Sequence, residues 1–235
     1  MADPWDERLA KARAALLHAL HGTDPLGAVC RSCVRLVPVA GASVSMTGGR
    51  AQAEMLCSTD DLSARIEALQ FTLGEGPTVD AFTAGRPVLV PDVPGAPAQA
   101  WPMFAQAMTG QAVGAIFAFP LQYGAISIGM LSLYRERPGW LSGGDLAIAL
   151  EIVDVAALAL LNHRTGVLNG EQLAFLPRGR EQIHQATGML IAALGIPADQ
   201  ALARLRGHAF ATGRLIDEVA HDIVNRHLHP RDLDQ

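Results

Sequence analysis

The chain is short of cysteine, aromatic residues and charge, and each shortage excludes something. Three cysteines among 235 residues are an odd number and too few for a disulfide scaffold, which suits a reducing cytoplasm. Aromatics are 5% and charged residues 17%, while half the chain is hydrophobic, so disorder is excluded and a packed core is expected. A net charge of −5 argues against a generally basic nucleic-acid binder but leaves local patches open. No apolar run reaches the roughly 18 uninterrupted residues of a membrane span. The opening MADPWDERLAKARAAL has early acids and no basic flank before an apolar run, so it does not read as a secretory signal. No histidine lies between His21 and His163, which removes axial haem ligands from that stretch. No Ser/His/Asp set, phosphate-cradling glycine loop or His/carboxylate metal cluster is recognisable, so neither an enzyme nor a metal site is expected.

What is present falls into two regions. Residues 6–20 have Leu9, Ala12, Leu16, Leu17 and Leu20 at near-helical spacing, and a second short helix is expected over 25–37, stopped by Pro38. Strands are expected at 41–49 and 51–58 around a Gly-Gly turn, with a helix at 59–70 capped by Thr59 or Asp60. The Gly- and Pro-rich stretch 73–93 holds a short strand, RPVLV, and a loop with Trp101 and Phe104 follows. Two longer strands, 111–121 and 125–135, are joined by a short connection and predict an antiparallel hairpin. Strands in runs favour an α+β antiparallel sheet over a doubly wound parallel one. Residues 142–163 predict a helix opened by a capping box from Ser142 to Asp145. It is apolar on nearly every face, so one side is expected to cover the sheet and another to meet a partner subunit, giving a homodimer, with a central helix buried within one chain as the alternative.

After His163 the chain turns polar, and a new helical unit begins. Three helices are expected at 178–194, 198–211 and 215–228. Their inner stripes are Ile183, Ala186, Leu190, Ala193 and Leu194; Ala201, Leu202, Leu205, Ala209 and Phe210; and Ile216, Val219, Ala220, Ile223 and Val224. A bundle of about 50 residues is near the lower limit of independent stability, so it should lean on the preceding helix or on a second copy. The division expected is a sensor domain over 1–163, a linker over 164–177 and a helical domain over 178–230.

Two stretches resemble known families. DLSARIEALQFTLGEGPTVDAFTAGRPVLVPDV, then WPMFAQAM and IGMLSLYRERPGWLSGGD, resemble the GAF domains of actinobacterial regulators, with EALQFTLGEGP (67–77) the most telling piece. The C-terminal stretch is similar to ANTAR domains, whose pattern falls on Gln185, Ala186, Gly188, Leu190, Ala201, Leu205, Arg206, Val219 and Ala220. It departs from that pattern at Thr187, where many such sequences carry Lys. The paired resemblance implies an antiparallel-sheet GAF-like sensor domain with flanking helices, followed by a small three-helix ANTAR-like bundle. It also implies a dimeric antiterminator that grips structured RNA, a pair of short stem-loops with one for each copy.

From Gly170 onward seven arginines stand against eight acids, about −1 before histidines. That is poor for binding by phosphate neutralisation alone but compatible with reading RNA loops by stacking and edge hydrogen bonds. Arg180, His184 and Thr187 share one face of the first C-terminal helix, and Arg204 with His208 share one face of the second. These residues and Arg206 are the candidate RNA contacts. In the sensor, Glu75, Asp92, Trp101 and Phe104 are candidates for a small-molecule pocket, while Gly74, Gly76 and Pro77 read as devices of a tight turn. No residue selects a cofactor. Cys30 and Cys33 form a CxxC without a second pair, so they read as small packed hydrophobes, with a redox pair as the lesser reading. A DNA-binding helix-turn-helix is disfavoured because IDEVAHDIVNR (216–226) carries three acids and one Arg. A methionine sulfoxide reductase is disfavoured because Cys30, Cys33 and Cys57 do not read as a converging nucleophile and resolving pair. Docking of a protein partner on the C-terminal helices remains open.

Overall fold

Alternation along the strands decides the layering. The computed structural model describes residues 22–47, 53–96, 99–124, 126–165 and 181–234, together with Ala10, Ala12, Arg13, Ala14, Leu16 and Leu20. Strands β1 (Gly41–Thr47), β2 (Ala53–Ser58), β3 (Val88–Val90), β4 (Ala115–Tyr123) and β5 (Ile126–Arg135) form one sheet in the order β2-β1-β5-β4-β3, antiparallel throughout. Phe117, Phe119, Leu121, Leu131 and Leu133 point to one face, with Ala42 and Val44. Ile116, Ala118, Met130 and Tyr134 point to the other. Both faces are covered, so β4 and β5 read as continuous apolar runs although they are antiparallel.

Helices α1 (Pro25–Leu36) and α5 (Gly143–Thr165) cover the first face, joined by Ala12, Leu16 and Leu20 of the N-terminal segment. Pro25 at the first helical position and the Asp24 carboxylate, which accepts the Gly27 N–H at 3.0 Å, start α1. Gly129 of β5 admits α5 closely: a Cβ there would collide with Leu160 and with the Ser45 carbonyl. Helices α2 (Asp61–Leu73), α3 (Pro77–Ala84) and α4 (Pro102–Met108) lie over the second face. Asp60 caps α2 through a capping box with Ser63, its Oδ1 accepting the Ser63 N–H at 2.8 Å. Ser142 opens α5 in the way expected, accepting the Asp145 N–H at 3.1 Å.

The C-terminal unit comprises α6 (Glu181–Leu194), α7 (Ala198–Ala211) and α8 (Ile216–Val224), followed by a 3-10 turn at Pro230–Asp234. Its buried stripe contains Ile183, Ala186, Leu190, Ala201, Leu202, Leu205, Ala209, Ile216, Val219, Ala220 and Ile223. Phe210 is a correction: expected inside, it is 47% exposed, because at about 100° per residue it points away from the buried stripe of Ala201, Leu202, Leu205 and Ala209. The third helix also ends four residues early, at Val224, where Arg226 takes a left-handed φ of 63°. Among the described residues the bundle leans on the sensor, through Phe71 of α2 and Ala53 of β2. The linker expected at 164–177 and Arg180 fall largely or wholly outside the described residues. No helix among the described residues is long and apolar enough to cross a membrane.

Candidate ligand and RNA-facing sites

The loop that links α2 to α3 is shaped by two glycines. Gly74 caps α2 with φ 69° and Gly76 has φ 130°, conformations that side chains rarely adopt, and Pro77 opens α3. Glu75 between them reaches across to α4, where its Oε1 accepts the Phe104 N–H at 2.7 Å. Trp101 precedes α4 without capping it, so Glu75 supplies in trans the acceptor that the helix start lacks. The Trp101 indole N–H donates to Asp80 Oδ2 at 3.0 Å, and Phe104 is buried in the core under α4. Glu75, Trp101 and Phe104 therefore meet at one helix end. Asp92 instead closes its own exposed turn, accepting the Gly95 N–H at 3.0 Å.

A second polar set lies deeper. Ser43, Ser45 and Thr47 project from β1 and Ser132 from β5 toward the face covered by α2, which buries Glu67 and Gln70; Thr78 of α3 is buried beside them. Gln70 Oε1 accepts the Thr78 N–H at 2.8 Å. The Gln70 amide nitrogen and the hydroxyls of Ser45, Thr47 and Thr78 have no hydrogen-bond partner, and buried polar atoms left in that condition are rare enough to need a cause. Sequence reasoning missed this set. The available signal was the polar residue at every second position of GASVSMT, placed in a strand whose other face is Ala42 and Val44. Tyr134 borders the same face, donating to Asp60 Oδ1 at 3.2 Å; burial, then the Asp60 charge, pushes its hydroxyl up to about 12.

The candidate RNA contacts separate. At about 100° per residue, Arg204 and His208 flank one edge of the buried stripe of α7 and Arg206 the opposite edge. The Arg206 guanidinium lies over the Phe71 ring at 5.3 Å from its centroid. Thr187 donates its hydroxyl to the Ile183 carbonyl at 2.7 Å, back-bonding within α6. His184 belongs to α6, but its side chain lies outside the described residues, as does Arg180. On the far side of the bundle an open groove of about 530 Å³ is lined by Met189, Ala193, Ile223, Arg226, Leu228 and His229, which the sequence pattern did not single out. Arg214 pairs with Asp222 at 2.8 Å, and this hydrogen bond holds the Asp222 carboxyl below its ordinary value.

The cysteines are packed between α1 and the sheet. Cys57 of β2 donates to the Leu26 carbonyl of α1 at 3.3 Å, which places it against the helix that carries Cys30 and Cys33. The contact with Cys57 and then burial push the Cys30 thiol far up; burial does the same to Cys33. A nucleophilic thiol needs the opposite shift. Among the described residues no group of three His, Cys, Asp or Glu side chains is placed to hold a metal ion.

Comparison with known proteins places two domains on this frame. The family profile of the GAF domain matches residues 23–161, and that of the ANTAR domain matches residues 171–224. No curated protein matches the chain in sequence. Among solved structures, the GAF domain from an Acinetobacter phosphoenolpyruvate-protein phosphotransferase is similar at 14% identity, with 71% of this chain and 99% of that one covered and a TM-score of 0.51. The GAF domain of the corresponding protein from Coxiella burnetii is similar at 13% identity, covering 69% and 98%, with a TM-score of 0.57. At such identities the likeness is one of fold.

Proposed function

The chain belongs to the GAF domain family, and from that premise we propose that it is a transcription antitermination regulator whose GAF domain controls the binding of stem-loop RNA by the ANTAR domain behind it. The observation that carries the reading is the placement of basic side chains on α7 of the ANTAR domain, Arg204 and His208 on one edge and Arg206 on the other. With an acidic excess around them, these few cations suit unstacked loop bases better than a phosphate ladder. Arg180, His184 and Thr187 of the α6 segment belong to the same proposed surface. The protein acts in the cytoplasm as a homodimer, one stem-loop to each ANTAR copy. The α5 stripe of Leu150, Asp154, Ala157 and Leu161, with Leu158 beside it, is the dimer seam: Leu150 and Leu158 are 43% and 46% exposed. The signal is a small polar molecule held by the unpartnered groups of Ser45, Gln70 and Thr78, with Glu75, Trp101 and Phe104 shaping the α4 side and Asp92 on the adjoining loop.

The test is a gel-shift titration of the full chain against a two-stem-loop RNA, a scrambled RNA and duplex DNA, beside Arg204→Ala and His208→Ala variants. Selective binding of the paired stem-loops, weakened roughly 3- to 10-fold in each variant, is expected. Equal, salt-sensitive binding to all three nucleic acids defeats the reading. Binding to none of them favours a protein partner for the C-terminal helices.

A further inference from the structure

The two halves of the chain meet at the end of α2 and at Ala53 of β2, and the α2 stretch touches Arg206. Phe71 is 6% exposed and packs into the ANTAR core with Leu202, Leu205 and Ile216. The Arg206 guanidinium covers the face of its ring, and the Arg206 Nε is fully buried. Thr72, 2% exposed, accepts the Ile216 N–H on its hydroxyl at 3.4 Å. Ile216 is the first residue of α8, so Thr72 satisfies a donor that the helix itself leaves open. Gly74 closes the contact: a Cβ there would stand 3.4 Å from Arg206 Nη1. Phe71, Thr72 and Gly74 therefore engage both α7 and α8.

We propose that the end of helix α2 is a latch that holds the ANTAR domain closed and shuts Arg206 away from RNA. The inference rests on the RNA-binding reading above and extends it to a mechanism of control. In the closed form the Arg206 edge of α7 faces Phe71 of the GAF domain, while Arg204 and His208 lie on the opposite edge, half-buried. Gln70, one residue before Phe71, points the other way, to Thr78 and the buried polar set. A ligand that satisfies Gln70 and Thr78 acts on the same helical turn that seats Arg206. Ligand and RNA are then coupled through one element with two positions, and the apparent RNA affinity is reduced by the fraction of molecules held closed.

The experiment uses the full chain, a Phe71→Ala variant, and a Phe71→Leu variant that keeps apolar bulk but loses the ring. Each is treated with phenylglyoxal, and the modification of every arginine is followed by mass spectrometry; each is also titrated with the two-stem-loop RNA. In the unmodified chain Arg206 should react at least tenfold more slowly than the exposed Arg231. Phe71→Ala should bring the two rates together and tighten RNA binding about tenfold. Phe71→Leu, with an unchanged melting temperature, should unmask Arg206 part of the way, which separates loss of the latch from loss of the fold. Arg206 reacting as fast as Arg231 in the unmodified chain overturns the latch. So does an unmasked Arg206 without tighter binding in a chain that does bind the RNA. If Phe71→Ala unmasks Arg206 but no form of the chain binds RNA, the closed contact stands and the RNA reading fails.

Discussion

The proposed dimer seam offers the cleanest quantitative test, because Leu150 and Leu158 are exposed in the protomer and carry little of its core. Leu150 and Leu158 retain 43% and 46% of their surface on α5. Complete burial of a leucine side chain is worth roughly 1.5–3 kcal/mol, so covering the remaining part is worth about 1 kcal/mol each. A two-fold seam counts both residues twice, giving about 4 kcal/mol, or about 10³ in the dissociation constant. The perturbation is Leu150→Ser combined with Leu158→Ser. Sedimentation velocity across a dilution series should show a dimer for the unmodified chain and a monomer for the variant at the same micromolar concentration. Thermal unfolding of the variant monomer should fall by less than about 1 kcal/mol, since exposed positions carry little of the core. A compact monomer for the unmodified chain at micromolar concentration, or a dimer whose dissociation constant the double substitution leaves unchanged, would refute the seam.

Three further outcomes follow from contacts within the protomer. Glu75→Ala removes the acceptor for the Phe104 N–H and should cost about 1–2 kcal/mol in chemical denaturation, whereas Glu75→Gln, which keeps an acceptor, should cost less. The Asp222 carboxyl is held below its ordinary value of 3.8 by the hydrogen bond from Arg214, so its contribution is present at neutral pH and is lost as the pH falls below that value. An acid titration of stability should therefore be shallower for Arg214→Met than for the unmodified chain. Tyr134 titrates at about 12 rather than 10 because it is buried and donates to Asp60, so its contribution is present below pH 10 and lost as the pH rises toward 12. Tyr134→Phe should flatten the alkaline limb of the stability curve.

Periodic elements were legible in the sequence; elements made by contacts were not. The bounds of α7 match the expected 198–211, because Pro197 and Gly213 bracket a stripe of Ala201, Leu202, Leu205 and Ala209. Helices α3 and α4 went unread, as they have only eight and seven residues in glycine- and proline-rich stretches. What holds them is long-range: the Gln70 side chain at the start of α3 and Glu75 at the start of α4. The same limit explains the site. Ser45, Gln70 and Thr78 come from three elements, and nothing in their spacing announces that they share one buried face. Cys57 likewise meets the helix of Cys30 only because β2 is the strand next to β1, under α1. Arg206 was visible as a candidate contact, yet its partner Phe71 lies 135 positions away, one residue past the helix expected at 59–70.

Helix α2 is anchored differently at its two ends, and the latch proposed above draws on that difference. At its start Asp60 caps the helix, accepts from the Thr59 hydroxyl at 2.8 Å and from Tyr134 at 3.2 Å, while Thr59 accepts the Ala42 N–H of β1 at 2.9 Å. The first turn is thus tied to two central strands. At its other end the chain leaves through Gly74 and Gly76, the residues with the greatest backbone freedom, and the Gln70–Thr78 bond is the polar tie across the turn. From Asp60 to Phe71 the helix is a lever of about 16 Å at 1.5 Å per residue, so a tilt of roughly 5° about Asp60 moves the Phe71 ring by about 1.4 Å. That displacement is a large part of the tolerance of a cation over a ring, whose attraction fades beyond about 6 Å. In the proposed latch, a ligand taking the Gln70 amide would need only a small rotation about Asp60 to unseat Phe71 from Arg206.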